Sequence, residues 1–159
     1  MTWPEVDLEL KIWIVPARRM KTKVAHRVPL STRAIEILEA QRTTRADTEL
    51  VFPSPTGVVL GDMELTQFLR DENAQSDDPK RSATAHGFRS SFRDWASEQG
   101  YSRDLAERAL AHAIKDETEA AYHRTDLLDQ RRIMMEAWAK HVCGHGAAES
   151  NVVPIRANA

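Results

Sequence analysis

Leu8, Leu10, Ile12 and Ile14 alternate with Glu9, Lys11, Trp13 and Val15, the period-two pattern of a strand with one face on a core. Pro16 ends this run, and Val24 to Leu30 reads as a second strand. Ala17 to Lys23 is then a basic connection in an antiparallel hairpin, with any lysine there on an exposed tip. Beyond Pro29 the period changes. Ser31 or Thr32 can cap a helix with Ala34, Ile37 and Leu38 on one face, interrupted from Arg42 to Asp47. Leu50 to Phe52 is a short extended piece and Pro53 to Gly57 a turn. Asp62 can cap a second helix carrying Leu65, Phe68 and Leu69. Apolar residues nearly vanish from Asp71 to Ser82, which predicts an exposed loop.

The remainder predicts helices: about His86 to Gln99 closed by Gly100, about Ser102 to His112, a short one around Tyr122, and about Leu127 to Val142 ending at Gly144. In the last, Leu128, Met135, Trp138 and Val142 recur near helical spacing. The tail from Ala147 to Ala159 has little to bury and is expected to be disordered. Strands near the N-terminus followed by helices make an α+β fold.

At 159 residues, 42% apolar, the chain has material for one core and one domain. A net charge of -2 gives no bulk reason to expect nucleic acid. Local distribution alters that picture. Leu10 to Ile35 holds Lys11, Arg18, Arg19, Lys21, Lys23, Arg27 and Arg33 without an acid, and Pro79 to Arg93 holds Lys80, Arg81, Arg89 and Arg93, also without one. A phosphate backbone could lie between two such segments. The single cysteine, Cys143, excludes an intramolecular disulfide and fits a reducing compartment, with cytoplasm the simplest location. No leader pattern is visible at Met1, and no apolar run approaches the roughly 20 residues of a membrane span.

On a helix starting near His86, residues advance about 100° each. His86, Arg89 and Arg93 then share one face, and Phe88, Phe92 and Trp95 anchor the opposite one. Such a helix start also offers free backbone N–H groups to an anion. On its own this basic face reads first as the solvated side of an amphipathic helix. Tyr122 lies between small residues and beside His123 and Arg124. A phenol with pKa near 10 needs such cations, or a base such as His112, to become a nucleophile; alone, Tyr122 reads as a packing residue. Lys21 and Lys23 are either solubilising charges or proton donors to a leaving alkoxide. His141, Cys143 and His145 have zinc-ligand chemistry but not the common zinc spacing, so no metal is expected. Walker-type glycine loops, a nucleophile-elbow serine and an HExxH pair are absent from the sequence.

Taken in order, Ile14 to Thr22 with His26-Arg27-Val28-Pro29-Leu30, His86-Gly87-Phe88-Arg89, Leu110-Ala111-His112, Ala121-Tyr122-His123-Arg124 and Arg131 to Ala139 resemble the catalytic domain of the tyrosine recombinases. The resemblance is to the phage integrase type, as satellite phages and genomic islands carry it, and spans about residues 3 to 143. It implies a mainly helical α+β catalytic domain with a small antiparallel sheet, over residues 1–146. It also implies DNA strand cleavage and rejoining without a cofactor. Tyr122 would attack the scissile phosphate to give a 3′-phosphotyrosyl link, and Arg89 would hold the non-bridging oxygens. His86 and His112 would hydrogen-bond that phosphate, and Lys21 would protonate the departing 5′-oxygen. Arg18, Arg19, Lys23, Arg27, Lys80, Arg81 and Arg93 are the expected DNA contacts. The implied partners are double-stranded attachment sites and a homotetramer assembled on them, with no membrane.

The family's first arginine precedes the segment resembling Thr2 to Asp7, and this chain begins after it. The expectation is an incomplete clamp, in a fragment or the product of a decayed gene, with roughly a hundredfold or more lost in rate. A non-catalytic DNA-binding remnant is the alternative reading.

Overall fold

A computed structural model describes residues 1–44, 48–61, 63–76, 78, 80–112 and 125–144. Three short strands, β1 (Val6–Asp7), β2 (Ile12–Val15) and β3 (His26–Pro29), form an antiparallel sheet in that order. The hairpin register pairs Ile12 with Pro29, Trp13 with Val28, Ile14 with Arg27 and Val15 with His26.

The strand expected from Leu8 starts later, at Ile12. Asp7 Oδ1 accepts the Leu10 N–H at 2.7 Å and Lys11 adopts φ 53°, so an aspartate-initiated turn reverses the chain before β2. Leu10 is left exposed. The second strand likewise begins at His26 rather than Val24. Between them a single turn of 3₁₀ helix, Ala17–Arg19, follows Pro16. A similar turn at Trp3–Glu5 brings Glu5 under the hairpin. The Glu5 carboxylate accepts from Thr2 N at 3.1 Å, from the Trp13 indole at 3.3 Å and from Arg19.

Helix α1 covers Thr32–Thr44. Ser31 supplies the cap, accepting the Ala34 N–H at 3.3 Å. Glu136 adds a carboxylate at the Thr32 N–H, 2.8 Å away, where the helix dipole favours negative charge. Its buried face is Ile35 and Leu38, not the expected Ile37, which is exposed. Helix α2, Glu64–Asp71, buries only Leu69. Leu65 and Phe68, expected on the same face, are exposed, because that helix contributes a single residue to the core. The expected Asp62 cap lies outside the described residues. Within the expected loop from Asp71 to Ser82, Gln75 and Ser82 form a bridge.

Helices α3 (Gly87–Glu98), α4 (Arg103–Ala109) and α5 (Leu128–Gly144) surround the main core of Phe92, Trp95, Ala96, Leu105, Ala106 and Met134. Gly100, at φ 76°, takes the left-handed position that closes α3, and Tyr101 N–H returns to Ala96 O at 2.9 Å. Ser102 caps α4 by accepting the Leu105 N–H at 3.2 Å. Trp138 crosses from α5, meeting Phe92 edge-on at 5.5 Å and Trp95 at 5.1 Å. Phe88 does not join Phe92 and Trp95 in the core. One turn nearer the helix start, it is half exposed on a groove shared with Trp138 and His141.

The stripe expected on α5 is also displaced. Met134 and Arg131 are its fully buried members, whereas Val142 is exposed. Arg131 lies one turn from Met134 and two from Trp138, so a cation occupies a core position. Residues of the short helix expected around Tyr122, and the tail from 145 onward, lie outside the described residues.

Candidate active site

Arg89 and His112 are brought together by α3 and α4. The Thr84 hydroxyl accepts the Gly87 N–H at 3.1 Å at the start of α3, and one turn along Arg89 Nη2 donates to Leu110 O at 2.7 Å. A guanidinium on the last carbonyls of a helix is favoured by the dipole. After Leu110 the chain turns left-handed at Ala111, φ 54°, and His112 N–H bonds back to Glu107 O at 3.0 Å. His112 therefore stands two residues beyond the carbonyl that anchors Arg89. Its Nδ1 meets Glu107 Oε2, and Glu107 Oε1 accepts from Arg93 Nε at 3.0 Å. Partial burial pushes the Glu107 carboxyl up, but its bonds and charges from His112 and Arg93 outweigh that and hold it below the usual carboxylate range.

His86 occupies the exposed cap position of α3. Lys21 lies on the exposed hairpin connection and makes no hydrogen bond or ion pair to Arg89 or His112 among the described residues. Tyr122 lies outside the described residues.

The expected DNA contacts divide in two. Arg19 pairs with Glu5, Arg27 with Asp126, Arg81 with Asp78 at 3.4 Å and Arg93 with Glu107. Arg18, Lys23 and Lys80 are exposed and have no acidic side-chain partner among the described residues. The acid-free stretches are thus partly neutralised by acids from elsewhere in the chain. Cys143 is exposed and His141 stacks on Trp138 at 5.6 Å. His145 lies outside the described residues. Among the described residues no group of three or more potential metal ligands occurs.

A second polar cluster escaped the sequence reading. Arg131, fully buried, donates from Nε to Asp126 O at 2.7 Å, from Nη1 to Arg27 O at 2.8 Å and from Nη2 to Asp126 Oδ2 at 3.0 Å. Arg27 meets the same carboxylate with two bonds, 2.8 and 2.7 Å, the fork geometry that suits arginine. Burial of Asp126 raises its carboxyl, but the Arg27 bonds and the charges of both arginines hold it below its ordinary range. Arg108, paired with Asp104 at 2.9 Å, also reaches Thr125 O. Three arginines from β3, α4 and α5 therefore gather around Thr125 and Asp126. His26, next to them on β3, bonds the Ala109 backbone, and its Nε2 is buried without a partner among the described residues. Burial, then the charge of Arg131, lower its pKa. The one signal in the sequence was Arg131 at a core phase of α5.

A small antiparallel hairpin, a helix whose Arg89 is anchored on the next helix and a histidine just past that helix make up the candidate site. Residues 1–127 match the phage integrase family, and the chain belongs to it. It is 36% identical over 142 residues to prophage integrase IntA of Escherichia coli K12, covering 86% of this chain and 32% of that protein. With the integrase of Enterobacteria phage P4 it shares 33% over 160 residues, 88% of this chain and 35% of the other. The integrase of Shigella phage Sf6 is 31% identical over 140 residues, 87% and 36% of the two chains. The chain thus spans about a third of the length of these relatives. No solved structure matches it. No described helix is long and apolar enough to cross a membrane.

Proposed function

We propose that this chain is the strand-cleaving part of a site-specific DNA recombinase that acts in the cytoplasm on double-stranded attachment sites, as a homotetramer. The observation that carries this reading is the anchoring of Arg89 on Leu110 O, which sets a guanidinium beside the turn bearing His112. The Tyr122 oxygen forms a bond to the scissile phosphorus as the bond to the 5′-oxygen breaks. His86 takes the phenolic proton, and Lys21 gives one to the departing oxygen, so the step balances without a metal or redox partner. Arg89 and His112 stabilise the charge that builds on the non-bridging oxygens. Lys21, on an exposed connection, reaches the phosphate when DNA lies against the hairpin. Of the expected contacts, Arg18, Lys23 and Lys80 have no acidic partner among the described residues and are left available to the DNA backbone.

Attachment-site DNA with a phosphorothiolate bridge tests this, because cleavage leaves a thiol that cannot religate. The expected result is a covalent adduct that Tyr122→Phe abolishes. No Tyr122-dependent adduct, even after an upstream arginine-bearing segment from a relative is joined, would overturn the reading. Salt-sensitive DNA binding without an adduct would then identify a non-catalytic remnant.

A further inference from the structure

Pairing with Glu107 removes Arg93 from the expected set of free phosphate ligands and gives it another use. The Glu107 carboxylate has two oxygens and a different partner on each: Arg93 Nε of α3 on Oε1 at 3.0 Å, and His112 Nδ1 on Oε2. The backbone closes the same loop, since His112 N–H donates to Glu107 O at 3.0 Å. Reaching that geometry needs Ala111 at φ 54°, a left-handed conformation costly for a residue with a Cβ. A locally strained turn thus returns the histidine to the residue that grips its ring.

A carboxylate oxygen can only accept, so the proton in this contact belongs to Nδ1. Nε2 is then the nitrogen left for other partners, on a side chain that remains 45% exposed. Arg93 occupies the second carboxylate oxygen and prevents the Glu107 side chain from turning away. Arg89, one helical turn before Arg93 on α3, is fixed to Leu110 O at 2.7 Å. Two arginines of one helix face therefore have separate tasks.

We propose that Glu107 is a positioning residue for His112: its carboxylate, braced by Arg93, fixes the tautomer and direction of the ring so that Nε2 is presented to the phosphate oxygen held by Arg89. This rests on the reading of Arg89 and His112 as phosphate ligands. Histidines that bind metals are oriented by carboxylates in the same manner, and losing the carboxylate there costs about ten- to a hundredfold in function.

The test pairs a spectroscopic and a chemical readout on the whole chain. Long-range nitrogen-15 spectra of the His112 ring, recorded where it is neutral, are expected to show the proton on Nδ1. In Glu107→Ala it should move toward Nε2, and adduct formation with phosphorothiolate DNA should fall by about ten- to a hundredfold. Glu107→Gln keeps one acceptor oxygen, enough for His112 or Arg93 but not both, so both readouts should lie between wild type and Glu107→Ala. It also serves if Glu107→Ala does not fold. An unchanged tautomer in the variants overturns the proposal, as does a changed tautomer with unchanged adduct yield. If no protein forms an adduct, wild type included, even with an upstream arginine-bearing segment from a relative joined, the recombinase reading falls, while the nitrogen spectra still decide whether Glu107 sets the ring.

Discussion

Arg131 and Arg89 carry the same guanidinium, yet Arg131 is fully buried with all three nitrogens committed to Asp126 and Arg27 O, whereas Arg89 is half-buried with one bond, to Leu110 O, among the described residues. The first arrangement gives each nitrogen of a buried cation a partner and locks α5 to β3. The second uses one donor, on Leu110 O, and leaves the others without a protein partner among the described residues. Identical side chains are thus separated by how many of their hydrogen bonds the fold consumes. Arg93 lies between the two cases, with its donors shared between Glu107 and Ser97.

Substitutions can break this comparison most directly at the buried end. Arg131→Ala would leave the Asp126 carboxylate and the Arg27 carbonyl without their buried partner, and should lower the unfolding free energy by about 3–5 kcal/mol in denaturant titration. A loss below about 1 kcal/mol, the range of an exposed pair, would mean that the cluster is not a structural lock. Arg89→Ala should do the reverse. Stability should fall by only about 1 kcal/mol, the worth of one hydrogen bond, while adduct formation drops by roughly a hundred- to a thousandfold. Equal destabilisation by the two substitutions would erase the distinction.

Two pH windows sharpen the comparison further. His26 has its folded pKa lowered, so the unfolded chain takes up a proton first as pH falls below about 6.5. Stability contributed by the neutral ring should be complete above that value, decline below it and level off beneath the folded pKa. His26→Gln should flatten this slope in thermal melts between pH 7 and 5. Asp126 and Glu107 have lowered folded pKa values, so their contribution is present above their unfolded values near 4 and is lost only as pH falls through the folded ones. Asp126→Asn should weaken that acid-side loss and, by removing a negative charge that raises the folded His26 pKa, extend the His26 window to lower pH. The smallest change is expected for Arg27→Gln, whose guanidinium side chain is half exposed. Its loss should cost about 0–1 kcal/mol, a value that approaches the Arg131→Ala effect only if Arg27 holds Asp126 in place.

Local signals in the sequence located several elements well. Gly100 and Ser102 marked the break between α3 and α4 because a left-handed closure and an N-cap each act within a few residues. The hairpin was legible from alternation, although Asp7 and Lys11 shortened its first strand through a turn that period-two counting cannot register. Buried faces were less legible. Ile37, Phe88 and Val142 have the chemistry of core residues but lie where the described elements leave them exposed. Arg131 has the wrong chemistry for a core residue and lies where one does.

The sequence by itself determined the order of the chemically suited residues, Lys21, His86, Arg89, His112 and Tyr122, and the α+β class, because motif order and local periodicity are properties of the chain alone. Which cations remain available was decided only by the tertiary structure. Arg27 and Asp126 are 99 residues apart in the chain, and Arg93 meets Glu107 from another helix. Acids excluded from the basic stretches by sequence are returned to them by folding. A charge run records composition along the chain, whereas the field at a phosphate depends on which charges the fold leaves unpaired.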